Sequence, residues 1–283
     1  MIKTGMIFYG FFQISMKNMP ITISKDGTAI AYEKAGNGPS IILVNGALGH
    51  RKFNSEKDLV DRLAKNFTVI YYDRRGRGES TDIKLYSVER EIEDIEALVG
   101  EAGGRVYLYG SSSGASLALL AAGKLGREKV IKLAIYEPPY ISESETDKQE
   151  FADEKKKIKE LVAAGKPGDA VVVFLQNRGT PPREIERIKK SPDWEEMERL
   201  GHTLVYDFEV LGRGTIPVDV AKSIAMPTQV MDGEKSFYFV HSTADILGKS
   251  IPGAQRKTLK DQTHQVSPTA LAPVLKEFFV QEK

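Results

Sequence analysis

Short runs of consecutive apolar residues recur along the chain and alternate with longer stretches of helical periodicity. A continuous apolar run of four to eight residues is typical of a strand covered on both faces, whereas apolar residues three and four positions apart indicate an amphipathic helix. The predicted strands of this kind are residues 40–45, 67–72, 105–109, 129–136, 227–231 and 255–259. The predicted helices that follow them are residues 55–65, 87–99, 114–125, 239–248 and 267–281, with Ser87 as an N-cap.

The beginning of the regular pattern is different. Residues 21–25 and 28–33 alternate apolar and polar side chains, and Asp26-Gly27 between them is a dipeptide that tight hairpin turns favour. Strands that alternate with helices indicate a mainly parallel sheet. The sequence therefore predicts an α/β fold with a mostly parallel, doubly wound sheet and an antiparallel hairpin at one end.

The strand–helix alternation is interrupted once. Residues 139–224 are charged and mostly helical in pattern, with Pro-Pro pairs at 138–139 and 181–182. The economical interpretation is a core of residues 20–138 and 225–283 with a helical insertion at 139–224. Residues 1–19 contain an apolar run too short to span a membrane, and we expect a disordered extension there.

Composition narrows the classes of partner. The 283-residue chain has a formal net charge of +1, and nucleic-acid or anionic-membrane partners require a basic excess, so we expect neither. The absence of cysteine excludes disulfides and thiolate chemistry and is compatible with a cytoplasmic location. The four histidines form no HExxH or comparable motif, so we expect no metal and no other cofactor.

A candidate nucleophile follows the predicted strand 105–109. The sequence Gly110-Ser111-Ser112-Ser113-Gly114 leads into a small-residue helix and fits G-x-S-x-G in a strand–turn–helix context. Such a turn holds the central serine in a strained conformation with its hydroxyl above the sheet, and the glycines let strand and helix approach closely. We identify Ser112 as the nucleophile, because it alone has a glycine two residues away on each side.

A serine hydroxyl needs a base, and in hydrolases with this motif the histidine follows the serine and the acid along the chain. His202 lies in the insertion, and His241 lies in the pattern of an amphipathic helix. His264 lies in the loop between the last strand and the last helix, which emerges at the same carboxyl edge of the sheet as the serine turn. The sequence therefore predicts His264 as the base.

An oxyanion formed during attack by a serine needs two preorganised N–H donors. The backbone N–H of Ser113, directly after the nucleophile, is one candidate. The N–H of Ala47, in the sequence NGALG at residues 45–49, is the other. An ordinary glycine turn is the alternative interpretation of residues 45–49.

These motifs, taken in order, resemble the α/β-hydrolase superfamily over nearly all of residues 20–283. The resemblance depends on NGALG at 45–49, DRRGRGES at 73–80, GSSSG at 110–114, QTH at 262–264 and the helix PTALAPVLKEFF at 268–279. It implies that residues 139–224 are a cap that shapes the substrate pocket, and that the arginines of 73–80 are chiefly structural. Asn45 replaces the family's usual histidine before Gly46, which leaves a backbone oxyanion donor intact.

The acid of the triad is the member on which the sequence departs from the family. Superfamily members usually carry an aspartate where this chain has Ser236, three residues after Gly233. Two carboxylates could replace it, Glu137 and Asp232, each at the end of a predicted strand. Haloalkane dehalogenases and zearalenone-type lactonases carry their acid after the earlier strand, and GSSSGAS followed by Glu-Pro is similar to the lactonases. We favour Glu137, with a turn-capping role for it as the alternative, and expect Pro138 to hold it in an extended conformation.

The resemblance implies a serine hydrolase that cleaves a small carboxylic ester or lactone through an acyl-enzyme intermediate, with Ser112, His264 and Glu137 as the triad. The same fold and triad also perform carbon–carbon bond hydrolysis and cofactor-free perhydrolysis, so these remain alternatives. A ligand receptor with little turnover is a third candidate, because the usual acid is missing at position 236.

Overall fold

The computed structural model describes residues 20–52 and 54–281. The predicted disorder of residues 1–19 lies outside this range. Eleven α-helices and eight strands are described, and all the strands belong to a single sheet. The strands are β1 (Ile21–Ile23), β2 (Ala29–Ala35), β3 (Ser40–Val44), β4 (Thr68–Tyr72), β5 (Val106–Ser111), β6 (Val130–Tyr136), β7 (Thr228–Gly233) and β8 (Gln255–Leu259).

The spatial order of the strands is β1-β2-β4-β3-β5-β6-β7-β8. The pairs β1–β2 and β2–β4 are antiparallel, and every pair from β4–β3 onward is parallel. The predicted mostly parallel, doubly wound sheet with an antiparallel hairpin at one end is therefore confirmed. The carboxyl ends of β3, β5, β6 and β7 meet at one edge, where ligands bind in open α/β sheets.

The helices described in the chain are α1 (Asn54–Leu63), α2 (Val88–Glu101), α3 (Ser113–Lys129), α4 (Glu145–Ala163), α5 (Pro167–Asn177), α6 (Pro182–Ile188), α7 (Trp194–Leu200), α8 (Leu204–Leu211), α9 (Val218–Ser223), α10 (Tyr238–Ser250) and α11 (Pro268–Val280). A 3₁₀ turn at Gly201–Thr203 separates α7 from α8. Ser87 occupies the N-cap position of α2, but its side chain makes no capping hydrogen bond. Helix α3 runs beyond the predicted end at residue 125, with a kink at Gly126, where φ is +68°.

Two apolar clusters cover the two faces of the sheet. Along β3, Ile42 and Val44 face the cluster that includes α2 and α3, whereas Ile41 and Leu43 face the cluster that includes α1 and α11. All four side chains are buried, because successive residues of a strand point to opposite faces and both faces are covered. A continuous apolar run in the sequence therefore corresponds to a central strand.

Helices α4–α9 lie between β6 and β7, in what we call the β6–β7 segment. Within this segment, α8 packs against α2 and α3 of the sheet's helical layer and against α4. Asp207 and Phe208 of α8 are both buried. Contact with α3 places α8 near the serine turn, because α3 begins at Ser113. The role of residues 139–224 as a cap stays a prediction.

Candidate active site

The serine turn (residues 110–114) joins β5 to α3 at the carboxyl edge of the sheet. Ser112 has φ +55° and ψ −132°, a strained conformation for a residue with a side chain. A Cβ on Gly110 would lie 2.8 Å from the Ala115 Cα, and a Cβ on Gly114 would lie 2.5 Å from the Asn45 carbonyl oxygen. Both glycines are therefore required by close backbone approach, as the sequence predicted.

His264 lies in the loop between β8 and α11, residues 260–267, which we call the His264 loop. The hydroxyl of Tyr136 donates a 2.6 Å hydrogen bond to the Thr263 carbonyl, and the Lys235 N–H donates to the Gln262 carbonyl at 2.8 Å. Burial, together with the neighbouring Glu137 carboxylate, raises the pKa of Tyr136 well above its ordinary value, so its hydroxyl keeps its proton. The loop is thus attached to β6 and to the end of β7.

Ser112, His264 and Glu137 form one continuous chain of polar contacts. The His264 Nε2 lies 3.2 Å from the Ser112 Oγ, and the His264 Nδ1 lies 2.7 Å from the Glu137 Oε2. A carboxylate can only accept a hydrogen bond, so Nδ1 carries the proton and the lone pair of Nε2 faces the serine hydroxyl. The side chain of His264 is 49% exposed, whereas that of Glu137 is fully buried.

Glu137 directly follows β6 and is held by two further donors. The Gly233 N–H and the Ser236 hydroxyl donate to its Oε1, at 2.7 and 2.5 Å. Burial alone raises the pKa of this carboxyl, but the hydrogen bonds from His264, Ser236 and Gly233 outweigh burial and hold the pKa below its ordinary value. Glu137 is therefore ionised at neutral pH.

The backbone of Glu137 is not extended, contrary to the prediction from Pro138. Its φ is +48°, in the region that side chains rarely adopt. The preference imposed by a following proline is weak, and the buried contacts to His264, Gly233 and Ser236 over-determine the conformation. The position of Glu137 at the end of a strand was predicted correctly, but the predicted extended conformation was wrong.

Asp232, the alternative acid, contacts other partners. Its carboxylate accepts hydrogen bonds of 2.8 and 2.6 Å from the Arg256 guanidinium and lies 2.5 Å from the His241 Nδ1. Burial alone raises the pKa of Asp232, but the hydrogen bonds from Arg256 and His241 lower it overall. The structure therefore brings Glu137, and not Asp232, to His264.

Residues 45–49, here called the oxyanion loop, reach the serine turn from the end of β3. A Cβ on Gly46 would lie 2.9 Å from the Ser112 Cβ and 3.5 Å from its Oγ, so the loop backbone lies directly beside the Ser112 side chain. Ala47 is the next residue. Ser113 is the first residue of α3, where N–H groups have no acceptor within the helix. Both segments predicted to supply oxyanion donors therefore border Ser112.

A sequence model of the alpha/beta hydrolase family matches residues 41–234, which include the oxyanion loop, the serine turn and Glu137. The chain belongs to the alpha/beta hydrolase family. An alpha/beta hydrolase of known structure from Sphaerobacter thermophilus is 44% identical, with a TM-score of 0.82 over 92% of this chain and 100% of its own.

Other hydrolases are similar over different lengths. The uncharacterized hydrolase YraK of Bacillus subtilis is 37% identical over 103 residues, so the match spans 35% of this chain and only 37% of YraK. An esterase from Thermogutta terrifontis (21% identity, TM-score 0.72, 92% of this chain and 97% of its own) and an enol-lactonase from Burkholderia xenovorans (20%, 0.70, 93% and 100%) share the fold.

Two polar contacts of this hydrolase site have no local signature in the sequence. Ser236 stands where the family's usual acid would be, and its hydroxyl donates a hydrogen bond to the Glu137 carboxylate. The spacing from Gly233 identified the position, but only the fold shows that Glu137 reaches it. Asp207 of α8 accepts a 2.7 Å hydrogen bond from the Ser113 hydroxyl, although 94 residues separate the two.

Within residues 20–52 and 54–281, no group of three or more histidine, aspartate and glutamate side chains is arranged to hold a metal ion. None of the helices in the same part of the chain combines the length and apolar character needed to cross a bilayer.

Proposed function

We propose that this alpha/beta hydrolase is a serine hydrolase that cleaves a small carboxylic ester or lactone through an acyl-enzyme intermediate. The observation that carries the proposal is the unbroken contact from the Ser112 Oγ through the His264 imidazole to the buried Glu137 carboxylate. Covalent catalysis requires a nucleophile, a base and a group that orients the base, and each must lie within hydrogen-bonding reach of the next.

In the proposed reaction, the Ser112 Oγ attacks the carbonyl carbon of the substrate while the His264 Nε2 takes its proton. Glu137 stays ionised, holds Nδ1 protonated and stabilises the imidazolium. The backbone N–H groups of Ala47 and Ser113 would bind the oxyanion of the tetrahedral intermediate. The imidazolium then protonates the leaving alkoxide, and water attacks the acyl-enzyme by the reverse sequence of proton transfers.

The activities named for similar structures support an ester or lactone as the substrate class. An esterase and an enol-lactonase are among the proteins that share the fold, and a lactone is a cyclic carboxylic ester. Turnover is favoured over ligand reception because the Glu137 carboxylate lies 2.7 Å from the His264 Nδ1, although position 236 lacks a carboxylate. We also propose that residues 139–224 act as the cap over this site and that the protein works in the cytoplasm.

Fluorophosphonate labelling tests the nucleophile. The wild-type protein should react stoichiometrically, and Ser112→Ala should not react at all. Ser111→Ala, which removes the neighbouring hydroxyl of the same turn, is the matched control and should still be labelled. Equal labelling of Ser112→Ala and the wild type would reject the assignment.

Turnover tests the substrate class. A panel of short- and medium-chain aryl esters and of five- and six-membered lactones should show steady-state hydrolysis with a burst of leaving group when deacylation is slow. Saturable binding with no turnover on any member would favour a receptor, and activity only on a β-diketone or with hydrogen peroxide would favour the carbon–carbon or perhydrolase alternatives.

A further inference from the structure

A buried carboxylate on α8 touches both the serine turn and the arginines that follow β4. The Asp207 Oδ1 accepts hydrogen bonds from the Ser113 hydroxyl at 2.7 Å and from the Arg74 Nη1 at 2.7 Å. The Arg77 Nη2 donates to both oxygens of Asp207, at 2.9 and 2.8 Å. One side chain of the β6–β7 segment is therefore bonded directly to the residue that follows the nucleophile.

The same arginines bind the carbonyl groups of the oxyanion loop. The Arg77 Nη1 donates to the Gly46 carbonyl at 2.5 Å and to the Gly49 carbonyl at 3.3 Å, and the Arg74 Nη1 donates to the Asn45 carbonyl at 3.2 Å. Asp207 thus reaches the oxyanion loop through one intermediate side chain. The serine turn and the oxyanion loop, which both border Ser112, are therefore both connected to Asp207.

Peptide geometry gives the contact with Gly46 a consequence for Ala47. The Gly46 carbonyl and the Ala47 N–H belong to the same planar peptide, and in a trans peptide they point in opposite directions. A guanidinium fixed on that carbonyl therefore fixes the direction of the N–H. The positive charge also polarises the peptide, which strengthens its N–H as a donor.

The side chains of Arg74, Arg77, Asp207 and Glu91 form one buried cluster, which we call the anchor, and its charges balance. Arg74, Arg77, Asp207 and Glu91 are each no more than 2% exposed, and Arg74 pairs with Glu91 through two hydrogen bonds of 2.7 Å. Burial alone raises the pKa of Asp207, but the charges of Arg77 and Arg74 outweigh it and lower the pKa overall. The carboxylate is therefore charged throughout the neutral pH range, with two guanidinium groups facing two carboxylates.

We propose that Asp207 is a positioning residue for the oxyanion hole, which it holds through Arg77 on the Ala47 side and through the Ser113 hydroxyl on the other side. This inference rests on the proposed serine-hydrolase function. Asp207 touches no reacting atom in that mechanism. Its effect is to orient two backbone donors that interact with the transition state and not with the ground-state carbonyl.

The variant Asp207→Asn keeps the shape of the side chain and removes its charge. Loss of a single oxyanion donor typically costs about 100- to 1,000-fold in kcat, so misorientation of the donors should lower kcat by about 10- to 100-fold. The KM for an aryl ester should stay within about threefold, because only transition-state contacts are weakened. The affinity for phenylboronic acid, whose serine adduct is tetrahedral, should fall in parallel with kcat.

Asp94→Asn is the matched control. Asp94 of α2 is also buried and also binds an arginine through two hydrogen bonds, to Arg75 at 2.8 and 2.7 Å. None of the described contacts of this pair reaches the oxyanion loop or the serine turn. Asp94→Asn should therefore lower the thermal midpoint to a comparable extent while kcat stays within about twofold of the wild type.

Two further variants keep the proposal testable if Asp207→Asn does not fold. Arg77→Lys keeps a positive charge but has no planar fork to bridge Asp207 and Gly46, and kcat should again fall at least tenfold. Ser113→Ala keeps its backbone N–H and loses only the bond to Asp207, so a smaller fall of about three- to tenfold is expected.

The outcomes separate the inference from the proposed function. Folded Asp207→Asn and Arg77→Lys proteins with kcat near that of the wild type would overturn the positioning role, as would equal losses of kcat in Asp207→Asn and Asp94→Asn. In both cases labelling and turnover by the wild-type protein would leave the serine hydrolase intact. A wild-type protein that neither reacts with a fluorophosphonate nor turns over any ester would overturn both.

Discussion

In the triad that we propose, Glu137 takes the place of an acid that the family usually carries at the position of Ser236, on a different strand. Ser236 follows β7 and has no charge, whereas Glu137 follows β6 and lies 2.7 Å from the His264 Nδ1. The serine hydroxyl and the Gly233 N–H occupy the second carboxylate oxygen. Neighbouring parallel strands end close together, so a carboxylate can move from one strand to the next with little change at the imidazole.

Replacing the carboxylate tests this assignment directly. Glu137→Gln should lower kcat by about 100- to 10,000-fold at pH 8, because the amide neither fixes the tautomer of His264 nor stabilises its imidazolium. Asp232→Asn changes the alternative acid in the same way and should leave kcat within about threefold. Steady-state rates with an aryl ester measure both, and an inactive Asp232→Asn beside an active Glu137→Gln would reverse the assignment.

Ser236 is expected to contribute less. Ser236→Ala removes one of the two donors to the Glu137 Oε1, which raises the pKa of the carboxyl towards its ordinary value and weakens its hold on His264. We expect kcat to fall about tenfold with KM unchanged, since hydrogen bonds to charged groups contribute about 1.5–3 kcal/mol. Ser236→Thr retains the hydroxyl and should recover most of the rate. No change in Ser236→Ala would show that the Gly233 N–H alone suffices.

The elements of this fold were predictable where a local pattern carries the information. Strand β3 is apolar on both faces because it is central, and the serine turn has glycines at the two points where backbones meet. Asp207 was not predictable, because its partners lie 94 to 133 residues away and a buried aspartate has no sequence signature. The positive φ of Glu137 was missed for the same reason, since tertiary contacts override the preference imposed by Pro138.

The junction of β5 and α3 should be intolerant of a single methyl group. In Gly114→Ala the new Cβ would meet the Val44 and Asn45 carbonyl oxygens, both of them backbone atoms that cannot move aside. Overpacking of this kind destabilises by about 1–3 kcal/mol. Urea unfolding measures the loss.

Gly100→Ala is the control for that substitution. Gly100 lies inside α2 and nothing lies within 4 Å of its would-be Cβ. Alanine is preferred over glycine in a helix by about 0.5–1 kcal/mol, so this variant should be more stable than the wild type. A Gly114→Ala protein as stable as the wild type would show that the start of α3 can move away from the end of β3.

At the scale of the whole molecule, buried carboxylates should govern the response to acid. Glu137, Asp207 and Asp232 are held below their ordinary pKa values of 3.8 to 4.5 in the folded protein. Their contribution to stability is therefore present above about pH 4.5 and is lost as the pH falls towards the lower folded values. Burial raises the pKa of Asp94 to about 6. The stability that Asp94 contributes therefore increases as the pH falls from about 6 to 3.8 and is constant below pH 3.8.

The free energy of unfolding should therefore decrease steeply below about pH 4. Asp26→Asn offers a milder comparison, because burial alone raises the pKa of Asp26 but the hydrogen bonds from Arg75 and Thr28 lower it well below its ordinary value. The free energy of unfolding of Asp26→Asn should therefore decrease less steeply with falling pH than that of the wild type. Urea unfolding below about pH 4 measures both slopes. Stability that increases on acidification in that range would contradict the expected sign.

The balanced charges of Arg74, Arg77, Glu91 and Asp207 restrict how this hydrolase can be recombined with its relatives. Arg74 and Arg77 follow β4 and Glu91 belongs to α2, whereas Asp207 belongs to the β6–β7 segment. A chimera that receives that segment from a donor without an acid at the corresponding position would leave two interior guanidinium groups facing one carboxylate. Libraries that shuffle substrate range between family members should therefore transfer this aspartate with its arginines as a unit.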